Sequence, residues 1–132
     1  MQTQPVEALE ASAIQAFRAT LRGELIRPGE APYEGARRIH NAMIDRRPGM
    51  IVRCAGVADV MRAVAFAREQ RLCLAVRGGG HNVTGNAICD GGMVVDLSRM
   101  KGVWIDPRAR TARVEPGVTW GELNHDLQAF GL

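Results

Sequence analysis

The sequence predicts an α+β fold in which N-terminal helices precede a βαβ unit and a small mixed sheet. Three observations lead there. Apolar residues recur at helical spacing over the first 46 residues. Two short runs of strand formers flank a helical stripe between residues 50 and 76, and three further apolar stretches follow at short intervals as far as residue 114.

Taken in order, Leu9, Ala13, Ile14, Phe17 and Leu21 predict a first amphipathic helix within Val6 to Leu25. The Pro and Gly residues of Arg27 to Pro32 predict a loop, after which Ala36, Ile39, Met43 and Ile44 predict a second, shorter helix. Arg47-Pro48-Gly49 ends that helix, and Met50 to Cys54 reads as a strand. Val57, Val60, Met61, Val64 and Ala67 then mark a helix from about 57 to 70, with Asp59 in its first turn, where a carboxylate complements the helix dipole.

Leu72 to Val76 is apolar without alternation, the pattern of a strand buried on both faces, and completes a βαβ unit. Met93 to Leu97, Val103 to Ile105 and Thr111 to Val114 predict a strand meander, the last two joined through Asp106-Pro107. Thr119-x-x-Glu122 has the form of a capping box, opening a helix whose apolar face would be Trp120, Leu123, Leu127 and Phe130. The domain reading is an N-terminal helical segment over 1–46 and a main domain over 47–132.

Composition narrows the function classes. With 132 residues there is room for one core, not for separate cofactor and substrate domains. Seventeen basic and 14 acidic residues leave a net charge of +3, and the arginines are scattered rather than interleaved with aromatics, which argues against nucleic acid as partner. Cys54, Cys73 and Cys89 are odd in number and lack C-x-x-C spacing, so neither a disulfide framework nor a zinc site is expected, and no metal. No stretch reaches the length of a membrane span, and the expected location is the cytoplasm.

The segment that carries chemistry is Val76-Arg77-Gly78-Gly79-Gly80-His81-Asn82-Val83-Thr84-Gly85-Asn86-Ala87, which joins a strand directly to a glycine-rich loop. Residues without Cβ admit positive φ and let a ligand approach the backbone, so amides here can converge on a phosphate; the competing reading is a flexible turn. Val83 stands where a dinucleotide fingerprint starting at Gly78 requires glycine, and no Gly-Lys-Ser/Thr follows, which disfavours Rossmann and P-loop readings. Arg77 suits either phosphates or an ion pair, while Asp96, His40 and His125 read as structural.

The chain from Arg53 onward resembles the p-cresol methylhydroxylase-type FAD-binding domain, and among its members the bacterial oxidases related to berberine bridge enzyme and 6-hydroxynicotine oxidase. The resemblance rests on Arg53-Cys54-Ala55 with Asp59-Val60, Arg77 to Asn82, Cys89-Asp90-Gly91-Gly92, Val95-Asp96-Leu97-Ser98 and Gly117 to Leu123, all in family order. It implies FAD as cofactor, held by Gly78, Gly79, Gly80, Asn82 and Asn86, with Arg77 and Gly85 in the same cofactor-binding stretch, and His81 bonded covalently to the 8α carbon of the isoalloxazine. It implies an oxidoreductase taking hydride from an alcohol, amine or activated C–H substrate, with no catalytic base assigned here and Cys89 an inert packed thiol. Such proteins run well past residue 132, so an N-terminal portion of the domain is expected. The alternatives are a non-catalytic nucleotide-binding module and an inactive truncated remnant.

Overall fold

The computed structural model describes residues 3–132; Met1 and Gln2, the start of the predicted N-terminal segment, lie outside them. A 3-10 turn at Val6–Ala8 precedes α1 (Ala11–Thr20), β1 (Glu24–Ile26) and the single turn α2 (Tyr33–Ala36). The main run follows as β2 (Met50–Arg53), α3 (Val57–Glu69), β3 (Leu74–Arg77), β4 (Met93–Asp96), β5 (Val103–Asp106), β6 (Thr111–Val114) and α4 (Trp120–Gln128).

The first four strands form one mixed sheet in the order β1-β2-β4-β3, with β1 antiparallel and the other three mutually parallel. The predicted βαβ unit is thus present but opened, because β4 lies between β2 and β3. The hairpin β5-β6 stands as a second, separate sheet. Residues 3–46 supply a strand as well as helices, and they share the core: Ile14, Phe17, Leu25, Ile26 and Tyr33 are all buried.

On one face of the large sheet, Met50, Val52, Met93 and Val95 meet Ile14 and Phe17 of α1 and Ala63, Phe66 and Ala67 of α3. The Phe17 and Phe66 rings stack with centroids 4.1 Å apart. On the other face Ile51, Ala75 and Val94 meet Tyr33, Ala36, Ile88 and Cys89. Tyr33 donates its hydroxyl to the Pro48 carbonyl at 2.7 Å, satisfying a polar group inside that layer.

Four expectations are corrected. The helix proposed through Met43 and Ile44 ends at Ala36, because the following backbone leaves the helical pattern: the His40 N–H donates across to the Gly80 carbonyl, and the Ile44 N–H closes a separate turn on that of Asn41. Of the predicted α3 stripe only Ala67 is buried and Val60 packs against the core, while Val57, Met61 and Val64 are exposed and Ala63 and Phe66 face the sheet instead. Asp59 sets that rotation. Its carboxylate is fully buried and accepts from the N–H groups of Arg22, Gly23 and Ala55 at 2.8–2.9 Å, which places that side of the helix inward. Strand β3 is buried on one face only, with Leu74 and Val76 exposed, since it is the sheet edge and α3 packs over β2 and β4. Finally, α4 has no buried residue and Trp120 is 80 % exposed; its capping box between Thr119 and Glu122 is present as expected.

Candidate functional site

Because β2, β4 and β3 run parallel, their C-terminal ends fall on one edge of the sheet, where crevices of α/β sheets take their ligands. Arg53, Asp96 and Arg77 end these strands in mutual register, and Glu24 opposes Arg53 from β1. Each strand therefore contributes one charge to a row. Asp96 is fully buried and receives Arg77 at 2.5 Å and Arg53 at 3.2 Å, while Arg53 also meets Glu24 at 3.2 Å.

Burial alone would raise the Asp96 carboxyl, but the hydrogen bond and charge of Arg77, helped by Ser98, bring it below the ordinary carboxylate value. Arg77 is itself buried and donates in addition to the carbonyls of Ala36 and Arg38. Between the two sequence readings for Arg77, phosphate ligand or ion pair, the geometry gives it a buried ion pair that fastens the 36–38 segment beneath the glycine loop.

That loop begins one residue later, and each of its glycines meets a different constraint. A Cβ on Gly78 would collide with the Pro116 carbonyl. One on Gly79 would come within 2.9 Å of Nδ1 of His81, and Gly80 has a φ of +74°. The glycines thus let the chain pass between the 116–119 segment and the His81 ring. Among the described residues, none of the N–H groups of Gly78, Gly79, Gly80, His81 and Asn82 donates to an acceptor of the protein. Five consecutive donors are left for solvent or ligand.

Beyond the glycines the loop is held by its own side chains and by the segment before β2. The Asn82 side-chain oxygen accepts from the Thr84 hydroxyl and the Asn86 N–H, both at 2.9 Å, so Asn82 and Asn86 form one turn. Gly85 is buried against Ile44 with φ +77°, so a side chain there would be strained and would collide with Ile44. Arg46 donates to the Ile88 carbonyl at 3.0 Å and Asn41 to that of Val83, also at 3.0 Å. His81 is exposed, and its ring stands edge-on to His40 with centroids 5.1 Å apart.

The loop forms one wall of a cleft of about 510 Å³. Arg38, His40, Arg53, Asp96, Arg99, Lys101 and Thr119 line it together with Arg77 to His81. Five cations and one carboxylate line the cleft; Glu24, paired with Arg53 and Arg99, and Glu122, paired with Lys101, reduce that excess but leave it positive, which suits an anionic ligand. The contributions of Arg38, His40, Arg99 and Lys101 carried no local sequence signal, since they come from loops that only the fold assembles, and Thr119 was legible only as a helix cap.

Residues 48–132 match the model of the FAD binding domain family. The chain belongs to that family. Over 113 residues it is 36 % identical to (R)-6-hydroxynicotine oxidase of Paenarthrobacter nicotinovorans, covering 86 % of this chain and 25 % of that protein. A FAD-linked oxidoreductase of Bacillus subtilis is 32 % identical over 112 residues, with 85 % and 25 % covered. The crystal structure of 6-hydroxy-D-nicotine oxidase from Arthrobacter nicotinovorans superposes with a TM-score of 0.80 at 36 % identity, over 84 % of this chain and 24 % of that one. A berberine-bridge-enzyme-like protein of Physcomitrella patens gives 0.80 at 29 % identity, over 88 % and 26 %. The chain spans about a quarter of the length of the relatives it matches.

FAD is the cofactor of this domain family, and the residues present fit it. The donors left open over Gly78 to Asn82 are the kind of group a pyrophosphate requires. The FAD-binding domain also places its cations at the cleft beside them. Cys89 is buried in the sheet core, and burial pushes its thiol up to about 12, in keeping with a packed, unreactive side chain.

Proposed function

We propose that this chain forms the phosphate-holding quarter of a FAD-linked oxidase whose flavin is bonded to His81 and which takes hydride from an alcohol, amine or activated C–H group of a small molecule. The observation that carries this reading is the row of unaccepted amides from Gly78 to Asn82, which takes in exposed His81 at the edge of an electropositive cleft. The amides of Gly78 to Asn82 would receive the pyrophosphate oxygens, with Arg38 adding charge from the cleft wall. Asp96, Arg77 and Arg53 keep the strand ends aligned beneath the loop, so its geometry is set before the cofactor arrives. His81, in its neutral form, offers a ring nitrogen as nucleophile toward the 8α carbon. When bound, the isoalloxazine supplies the redox chemistry by accepting the hydride. The substrate class rests on the kinship with oxidases such as (R)-6-hydroxynicotine oxidase.

The test is to express the chain in its natural reading frame through to the stop codon, denature it, and look for protein-bound flavin fluorescence, with His81→Ala alongside. Fluorescence that survives in the wild type and vanishes in His81→Ala is the expected result. Flavin released from both on denaturation would remove the covalent link while leaving the phosphate site, and a protein that takes up no flavin at all would overturn the whole reading.

A further inference from the structure

We propose that His40 is the proton acceptor for His81 during attachment of the flavin, an inference that rests on the covalent reading above. The segment 36–41 is fastened to the loop 77–83 at every turn: Arg77 donates to the Ala36 and Arg38 carbonyls, the His40 N–H to the Gly80 carbonyl at 3.0 Å, and the Asn41 amide to the Val83 carbonyl. These bonds bring the imidazole of His40 against that of His81, centroids 5.1 Å apart and planes at 62°. The two rings touch, and a ring rotation or one bridging water brings their nitrogens within proton-transfer reach.

Elimination within the cleft points the same way. The other titratable groups lining the cleft are Arg38, Arg53, Arg77, Arg99, Lys101 and Asp96, and Glu122 stands behind Lys101 and Thr119, bonded to both. Guanidinium and ammonium groups are donors only. Asp96, the one carboxylate of the lining, is buried and engaged by Arg77 and Arg53. Among the titratable side chains lining the cleft, His40 is therefore the acceptor left beside His81.

The step balances as follows. An N–C bond forms between a His81 ring nitrogen and the 8α methyl carbon of the isoalloxazine, while the imidazole N–H bond and one methyl C–H bond break. The two electrons released reduce the ring system, and dioxygen takes them up with the two protons to leave as hydrogen peroxide, one per bond formed. His40 receives the imidazole proton and passes it to solvent, being exposed itself.

The experiment uses flavin-free protein in its natural reading frame, mixed with FAD in air across pH 6 to 9. It follows flavin retained after denaturation, peroxide released, and non-covalent FAD affinity by fluorescence quenching. His40→Gln and His40→Phe are expected to bind FAD as the wild type does but to attach it about a hundredfold more slowly, the lower end of what a positioned base contributes. Their attachment rates should lose the wild-type pH dependence, and added imidazole should restore attachment in His40→Ala but not in His81→Ala. Wild-type attachment rate and pH profile in His40→Phe would show a mere wall and overturn the inference while leaving the covalent reading intact. Absence of retained flavin in the wild type would overturn both.

Discussion

The row of charges under the glycine loop makes Asp96→Asn the most informative single change. The substitution keeps the shape and one acceptor but removes the negative charge from between two guanidinium groups. Arg77, whose side chain is 8 % exposed, would then stand buried without a counter-charge. Breaking a buried pair costs about 3–5 kcal/mol. The lower end applies here, because Arg77 keeps the Ala36 and Arg38 carbonyls and Arg53 keeps Glu24. A loss of about 3 kcal/mol lowers the melting temperature by roughly 10 °C for a domain of this size. Urea unfolding followed by far-ultraviolet circular dichroism is the suitable assay, since Trp104 and Trp120 are both exposed and report poorly on the core.

The pH dependence follows from the same group. The folded-state carboxyl of Asp96 lies below its ordinary value, so its stabilisation is fully present above the unfolded value near about 4 and is lost as pH falls through the folded value. Asp96→Asn should remove that part of the acid sensitivity. The pair Arg77→Met with Asp96→Leu should cost less than the sum of the single changes, because an apolar replacement leaves no orphan charge. An Asp96→Asn protein with the wild-type midpoint, or strictly additive single and double variants, would refute the reasoning.

Four further outcomes are expected. Gly78→Ala sets a methyl group against the Pro116 carbonyl and should displace the loop and abolish flavin uptake, whereas Gly121→Ala points into open space on α4 and should raise stability by about 0.5–1 kcal/mol; flavin titration and urea unfolding read the two. Asp59→Ala strips three backbone N–H groups of their acceptor and should cost about 3 kcal/mol or more at pH 7, a penalty that shrinks as acid protonates Asp59 in the wild type, whose folded carboxyl lies below its ordinary value because those three bonds outweigh its burial. Iodoacetamide at pH 8 should modify exposed Cys73 well before Cys54 and Cys89, whose thiols burial pushes up to about 11 and about 12, as peptide mass mapping will show.

Elements whose periodicity and punctuation agree were readable in the sequence. Met50–Arg53, Val57–Glu69, Met93–Asp96 and the hairpin about Asp106-Pro107 lie where strand formers, a helical stripe and turn residues put them. Three-residue β1 was absorbed into the preceding helical pattern, because so short a strand leaves no alternation to detect and exists only through pairing with β2. The rotation of α3 was hidden for a different reason. Val57, Met61 and Val64 are better hydrophobes than Ala63 and Ala67, but the three amides awaiting Asp59 belong to residues that fold against the helix from elsewhere. At the site, Gly78 to Asn82 stood out locally, whereas His40 reached the loop only because Arg77 draws the 36–38 backbone beneath it.

The position of β4 also sets an order on biosynthesis. Of the three parallel strands it is the last to leave the ribosome, yet it occupies the middle, so β2 and β3 wait for it with neither able to zip to the other. Its partners lie far apart in sequence, Asp96 meeting Arg53 across 43 positions and Arg77 across 19. Such distant closures are the slow ones. When β4 slots in, it pins both ends of the intervening stretch in a single event, one through β3 and the other through itself. The nascent chain therefore acquires its glycine loop at the moment its sheet closes, and not before.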